Sequence, residues 1–177
     1  MRVIAGRYKG RRLKAPTWEG LRPTSDKLRE TLFNILAPRI EAARVLDGFA
    51  GTGAVGIEAL SRGASHVTFV ERDPRAVALI EANLALCGIG ADYNVLRGDV
   101  LAALRNLGAA FDVILLDPPY DLHPVSPTLE AAAACLSAGG LLVLERATRR
   151  EPDIPPTLTR VRDVKSGDST LTFVERL

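Results

Sequence analysis

Glutamine is absent from the 177 residues, methionine occurs only at position 1, and Arg far outnumbers Lys. Such a bias accompanies GC-rich coding or high-temperature life and bears on no function. Only two cysteines occur, Cys87 and Cys135, each inside an apolar, helical-looking stretch with no CxxC or Cys/His partner nearby. They read as buried thiols in a reducing cytosol, so neither a disulfide framework nor a metal site is expected. No apolar run approaches the roughly 20 residues of a membrane span, and the basic N-terminus has no apolar stretch behind it of the kind a leader peptide needs. The expectation is a cytoplasmic protein with no membrane contact. Aromatics are scarce at 5%, yet 47% of the residues are hydrophobic and 25% charged, because Leu, Ile, Val and Ala carry the apolar load. That composition excludes disorder. The length suits one domain with at most a short appendage.

The net charge of +2 conceals an asymmetry: residues 1 to 44 hold eleven Lys/Arg against four Asp/Glu, whereas residues 45 to 177 hold twelve against seventeen. Between Arg2 and Lys14 there are six basic residues and no acid. Acid-free clustering of this kind marks contact with phosphate, although an isolated run would more simply be a solvated edge. Arg2 to Ala5 and Arg11 to Lys14, set around Gly6 and Gly10, read as a small β-hairpin appended over residues 1–20, with the main domain over 21–177.

Leu21 to Asp26 leads into a helix expected near 25–37, capped by Thr24 or Ser25, with Leu28, Leu32, Ile35 and Leu36 on one face. From Arg44 onward strands and helices alternate. Strands are expected at 45–47, 66–71, 94–97, 112–116 and 141–145, and helices at 54–61, 74–87, 100–107 and 129–136. Unbroken apolar strands separated by helices indicate a parallel sheet covered on both faces. Residues 158–164 and 170–175 flank Ser166-Gly167-Asp168-Ser169 and read as a closing antiparallel hairpin.

Two motifs carry chemistry. The first, Asp47-Gly48-Phe49-Ala50-Gly51-Thr52-Gly53-Ala54-Val55-Gly56, follows a strand and opens a helix. Gly51, Gly53 and Gly56 satisfy GxGxxG, and Glu71 lies 20 residues beyond Gly51, where a ribose-binding acid belongs. A dinucleotide is disfavoured because Asp47 would repel a pyrophosphate, while suiting a ligand with an ammonium and a sulfonium. Asp99 ends the third strand, placed to accept from an adenine amino group. These needs match S-adenosyl-L-methionine. Each acid could instead be a helix N-cap, which fits Asp73 well and Asp99 partly.

The second motif is Asp117-Pro118-Pro119-Tyr120 at the carboxyl edge of an apolar strand. Two prolines remove two N–H donors and leave a rigid group of acceptors beside an aromatic ring. An exocyclic amine on a flat base becomes nucleophilic only as acceptors draw its hydrogens out of conjugation. Asp117 and the Pro118 carbonyl can take those hydrogens while Tyr120 stacks on the base. With an ordinary carboxyl pKa of about 3.9, Asp117 is expected to be ionised at neutral pH. A bare Pro-Pro turn is the structural alternative.

Both motifs resemble those of amino-group methyltransferases with a Rossmann-like fold. Further stretches narrow the likeness: Arg2-Val3-Ile4-Ala5-Gly6, Gly10-Arg11-Arg12-Leu13, Arg22-Pro23-Thr24 with Asp26 and Arg29-Glu30, and Gly56-Ile57-Glu58-Ala59-Leu60-Ser61-Arg62-Gly63-Ala64. Together they resemble the bacterial 16S rRNA guanine-N2 methyltransferase family, RsmD, over nearly the whole chain. Gly48 and Thr52 are small departures. The resemblance implies a class I fold with a mostly parallel seven-stranded sheet and methyl transfer to N2 of one guanine in 16S rRNA of an assembled or assembling small subunit. It implies a cofactor site of Asp47, Phe49, Ala50, Gly51, Thr52, Gly53, Glu71, Arg72, Asp99, Val100 and Asp117, catalysis by Asp117, Pro118, Pro119 and Tyr120, and RNA contacts from Arg7, Lys9, Arg11, Arg12, Arg22, Thr24 and Arg29. The residues themselves leave open an adenine-N6 enzyme acting on DNA, and less readily a glutamine methyltransferase, a nicotinamide oxidoreductase or a non-catalytic RNA-binding module.

Overall fold

The computed structural model describes residues 1–108 and 110–177. Helix α1 (Asp26–Ile40) begins at Ser25, whose hydroxyl accepts from the Leu28 N–H at 3.1 Å, so Ser25 rather than Thr24 is the cap. It continues beyond the expected end at residue 37, through Pro38. Pro38 forgoes one intrahelical hydrogen bond there, and full burial of Ile40 offsets the loss.

The remaining elements are β1 (Arg44–Gly48), α2 (Ala54–Ser61), β2 (His66–Glu71), α3 (Pro74–Cys87), β3 (Tyr93–Arg97), α4 (Val100–Asn106), β4 (Phe111–Leu116), α5 (Ser126–Cys135), β5 (Leu136–Ala147), β6 (Leu158–Ser166) and β7 (Ser169–Arg176). Helix α3 starts as the sequence requires, with Asp73 accepting from Arg75 N and Pro74 in the first turn, and closes on Gly88 in the left-handed region. Helix α5 starts three residues earlier than expected because Pro127 is tolerated in a first turn. Its C-terminal neighbour Leu136, expected in that helix, opens β5 instead. The Gly139-Gly140 pair, which argues against a strand, is absorbed where the pairing of β4 and β5 shifts between Phe111 and Val113.

All seven strands form one sheet in the order β3-β2-β1-β4-β5-β7-β6. The first five are parallel, and β7 runs antiparallel to both β5 and β6. The strand order reverses between β1 and β4, and that is where an open α/β sheet parts to form a ligand crevice. Leu28 and Phe33 of α1, Ile57 of α2 and Ile80 of α3 pack on one face, whereas Val100 and Leu104 of α4 and Leu129 of α5 pack on the other. Among the described residues, no helix is long and apolar enough to cross a membrane.

The N-terminal segment turns back on itself, pairing Arg2 antiparallel with Arg12 and bonding Val3 N to Arg11 O and Gly10 N to Val3 O, each at 2.9 Å. It is fastened to the body by side chains that the local pattern could not reveal. Val3 and Leu13 are buried in the same cluster as α1 and α2. The carboxylate of the fully buried Glu58 accepts from Ile4 N at 2.9 Å and Ala5 N at 3.0 Å, and Ser61 Oγ accepts from Tyr8 N at 3.0 Å.

Candidate active site

The crevice is built from the carboxyl ends of five strands. At the end of β1, Asp47 is 4% exposed, and its Oδ2 accepts from Gly56 N at 2.9 Å. This bond ties the strand end to the first turn of α2. Gly53 caps that helix at φ +75°, a conformation that L side chains rarely adopt, and supplies no side-chain cap of its own. At Gly56 a Cβ would come within 2.2 Å of the Phe69 ring, so only glycine lets α2 lie this close to β2. The two glycines therefore keep bare backbone at the mouth of the crevice.

At the end of β2, Glu71 accepts from Gly51 N and from Asp73 N, each at 2.9 Å, one at each oxygen. A carboxylate oxygen has two acceptor sites, so both oxygens retain capacity for hydroxyl donors. Arg72 beside it is exposed. At the end of β3, Asp99 uses Oδ1 to cap α4 through Ala102 N at 2.9 Å, leaving Oδ2 for other donors. Val100 is buried under Gly48, while Phe49 at φ +61° turns the chain from β1 into the loop. Ala50 N donates to Val70 O at 3.1 Å, and the Thr52 carbonyl accepts from Asn83 Nδ2 at 2.9 Å, which fixes the loop to its neighbours.

Asp117 and the two prolines leave β4 directly opposite, across the switch point, and Asp117 N donates to Gly48 O at 3.3 Å. The turn closes through Leu122 N to Pro119 O at 2.9 Å. Tyr120 is 39% exposed, with its hydroxyl 3.0 Å from Ser169 Oγ and its carbonyl held by Arg150.

Electrostatics corrects one expectation. Burial raises Asp47 from 3.8 to about 8, helped by the charge of Glu71 and opposed by the Gly56 N–H. Burial likewise drives Asp117 well above the usual carboxyl range, with the carboxylates of Glu145 and Asp47 adding to it and the Thr24 hydroxyl opposing. The shift opposes the ionised state expected from the unperturbed pKa, and a positive charge entering the crevice would favour ionisation again. Glu145, near the carboxyl end of β5, is also raised, chiefly by burial, against hydroxyls of Ser169 and Thr24 and the attraction of Arg22.

The other cations fall into two groups. Arg7, Lys9, Arg11, Arg12 and Arg22 are exposed, and Thr24 is half-buried near Asp117. Arg29, expected among the RNA contacts, is fully buried. Its guanidinium reaches Arg2 O, Asp26 Oδ1 at 2.9 Å and Glu58 at 3.8 Å, so it anchors the N-terminal segment and faces no solvent. Helix periodicity hid this, because a lone cation on an amphipathic helix ordinarily faces water.

Sequence reasoning missed Glu145, Ser169 and Glu58. Glu145 was detectable: like Asp47, Glu71 and Asp99, it is an acid at the carboxyl end of an apolar strand. Among the described residues, no group of three or more His, Cys, Asp or Glu could hold a metal ion.

This sheet order, with a glycine loop and acid at β1 facing an Asp-Pro-Pro-Tyr turn at β4, defines a class I methyltransferase. The chain belongs to the family described as Conserved hypothetical protein 95, the RsmD family, whose model matches residues 1–175. YlbH of Bacillus subtilis (strain 168) is 40% identical over 163 residues, covering 89% of this chain and 88% of YlbH. Ribosomal RNA small subunit methyltransferase D of Escherichia coli (strain K12) is 42% identical over 120 residues, or 68% of this chain and 60% of that protein. The solved structure of yhhF from Escherichia coli superposes with a TM-score of 0.89 at 31% identity, over 99% of this chain and 97% of the other.

Proposed function

We propose that the protein transfers a methyl group from S-adenosyl-L-methionine to the N2 amine of a guanine in the rRNA of the small ribosomal subunit, in the cytoplasm. The observation that carries this reading is the placement of Asp117-Pro118-Pro119-Tyr120 across the switch point from Asp47 and the glycine loop. The name of the Escherichia coli relative supports the class of RNA.

The residues fit the cofactor by their chemistry. Asp47, Glu71 and Asp99 are acceptors, suited to an ammonium or sulfonium, ribose hydroxyls and an adenine amine in turn, and Gly51 and Gly53 allow close backbone approach. When bound, the cofactor supplies an electrophilic methyl carbon on a positively charged sulfur. Phe49, Ala50, Thr52, Arg72 and Val100 complete the walls of that side. On the other side, Tyr120 offers its exposed ring to the base, and Asp117 with the Pro118 carbonyl accepts the amine hydrogens, directing the nitrogen lone pair toward the glycine loop. Positive charge beside Asp47 and Asp117 lowers both pKa values, so occupation of the crevice favours the ionised Asp117 that the amine requires. After transfer, the proton lost by the nitrogen passes to the Asp117 carboxylate or to solvent. Arg7, Lys9, Arg11, Arg12 and Arg22 hold RNA phosphates without reading bases.

The test is methyl transfer from labelled donor to unmethylated small subunits, naked small-subunit rRNA and duplex DNA, followed by nucleoside analysis. N2-methylguanosine from a small-subunit substrate is expected. Label in adenine N6 would assign the protein to the adenine class, and absence of transfer to any nucleic acid would overturn the reading.

A further inference from the structure

Asp117 and Tyr120 explain how an amine is gripped, but not why it should be the amine of guanine. Beside them stands a second carboxylate that methyl transfer itself does not use. Leu144 of β5 pairs with Leu116 of β4, so Glu145, which pairs with Leu171 of β7 inside the strand, follows it beside Asp117. Pro118, Pro119, Tyr120 and Glu145 line a single cavity that opens to solvent. The Ser169 hydroxyl lies 3.0 Å from the Tyr120 hydroxyl, and the hydroxyls of Ser169 and Thr24 act on Glu145 electrostatically, Thr24 on Asp117 as well. Glu145 thus stands beside both the stacking ring and the amine-binding acid.

Two adjacent carboxylates complement two adjacent donors. On its Watson–Crick edge, guanine offers an N1–H immediately beside the N2 amine, whereas adenine places an N1 lone pair beside its amine. We infer that Glu145 is the specificity-determining residue, accepting the guanine N1–H while Asp117 accepts from the N2 amine. The inference rests on the guanine reading above. Burial raises Glu145, opposed by the hydroxyls of Ser169 and Thr24 and by Arg22, and the guanine N1–H is a donor that stabilises its ionised form on binding. An N1 lone pair would face that carboxylate without a proton between them, which is how such a site discriminates.

The discriminating substrate is 2,6-diaminopurine, which keeps the N2 amine but carries a lone pair at N1. Small subunits are assembled in vitro from rRNA bearing either guanosine or 2,6-diaminopurine riboside at the methylated position, and single-turnover rates are compared. Wild-type protein should favour guanosine by roughly ten- to a hundredfold, the range for losing a hydrogen bond to a charged group. In Glu145→Gln, whose amide N–H can meet a lone pair, the ratio should fall to near one or invert, with cofactor affinity by calorimetry within about twofold of wild type. Ser169→Ala, which loosens Glu145 without removing it, should give an intermediate ratio. A wild-type ratio near one overturns the inference whether or not Glu145→Gln folds. An unchanged ratio in a folded Glu145→Gln overturns it too. Absence of guanosine methylation by wild-type protein on every small-subunit substrate would instead bring down the reading on which the inference rests.

Discussion

Replacing Asp47 with Asn should make the cofactor-free protein more stable as pH rises, while impairing cofactor binding. Asp47 Oδ2 accepts from Gly56 N at 2.9 Å, a bond that the Asn amide oxygen can keep, so the substitution removes a titrating group without opening a cavity. The folded pKa is about 8, against an ordinary value of 3.8. Between those values the native state holds a proton that the unfolded chain has lost, so stability falls with pH by about 1.4 kcal/mol per unit. The penalty is absent below pH ~4 and complete above pH ~8. From pH 5.5 to 7.5 this one group costs about 3 kcal/mol, or roughly 6 to 12 °C in Tm for a chain of this size. The assay is thermal unfolding followed by circular dichroism, without cofactor, at half-unit pH intervals. Asp117 and Glu145 leave the variant with some slope of the same sign, so the quantity to read is the gap between the two curves. It should widen by several degrees over this interval. Parallel curves would refute the claim that Asp47 is buried as the neutral acid.

Glu71→Ala should weaken S-adenosyl-L-methionine binding by about 1.5 to 3 kcal/mol in calorimetry, and, because the loop loses its anchor at Gly51 and Asp73, also lower Tm. Joint replacement of Arg7, Lys9, Arg11 and Arg12 by Ser should weaken RNA binding and reduce the slope of log affinity against log salt by about 0.7 to 0.9 per lost phosphate contact; cofactor affinity should hold. Asp117→Ala should lower the single-turnover rate at saturating cofactor and RNA by about 10² to 10⁴, Tyr120→Ala should cost about 1 to 3 kcal/mol of base stacking, and Tyr120→Phe should be mild; a wild-type rate in Asp117→Ala would exclude the assigned role. Glu58→Ala strands the buried Arg29 and frees Ile4 and Ala5, so urea unfolding should show a loss of about 3 to 5 kcal/mol, with faster proteolysis ahead of residue 13.

The parallel body of the fold is written in local terms, which is why it could be read. Helix α2 and strand β2 fall on their expected residues, since Gly53, Gly63 and the apolar run 67–70 punctuate the chain there. The acids at strand ends were legible for the same reason, because a strand that stops at a carboxylate shows which side chain the crevice receives. What stayed hidden depends on residues far apart in the chain. Arg29 looks like a surface cation until Glu58, 29 residues later, is brought beneath it. The upward pKa shift of Asp117 comes first from burial, then from Glu145 and Asp47 arriving on neighbouring strands. Strand β5 outran its expected length because its pairing with β4 overrides the reluctance of two glycines.

β7 lies between β5 and β6 although it follows both in sequence. Until β7 is made, β5 has an unpaired edge on that side and β6, which pairs with β7 alone, has no strand to pair with. Ser169 at the start of β7 supplies the hydroxyl that meets Tyr120, so the substrate side of the crevice is completed only when this strand slots in. A nascent chain stalled before residue 169 would carry the glycine loop and its acids but an unfinished base pocket. Newly made protein should therefore acquire cofactor affinity before it acquires activity.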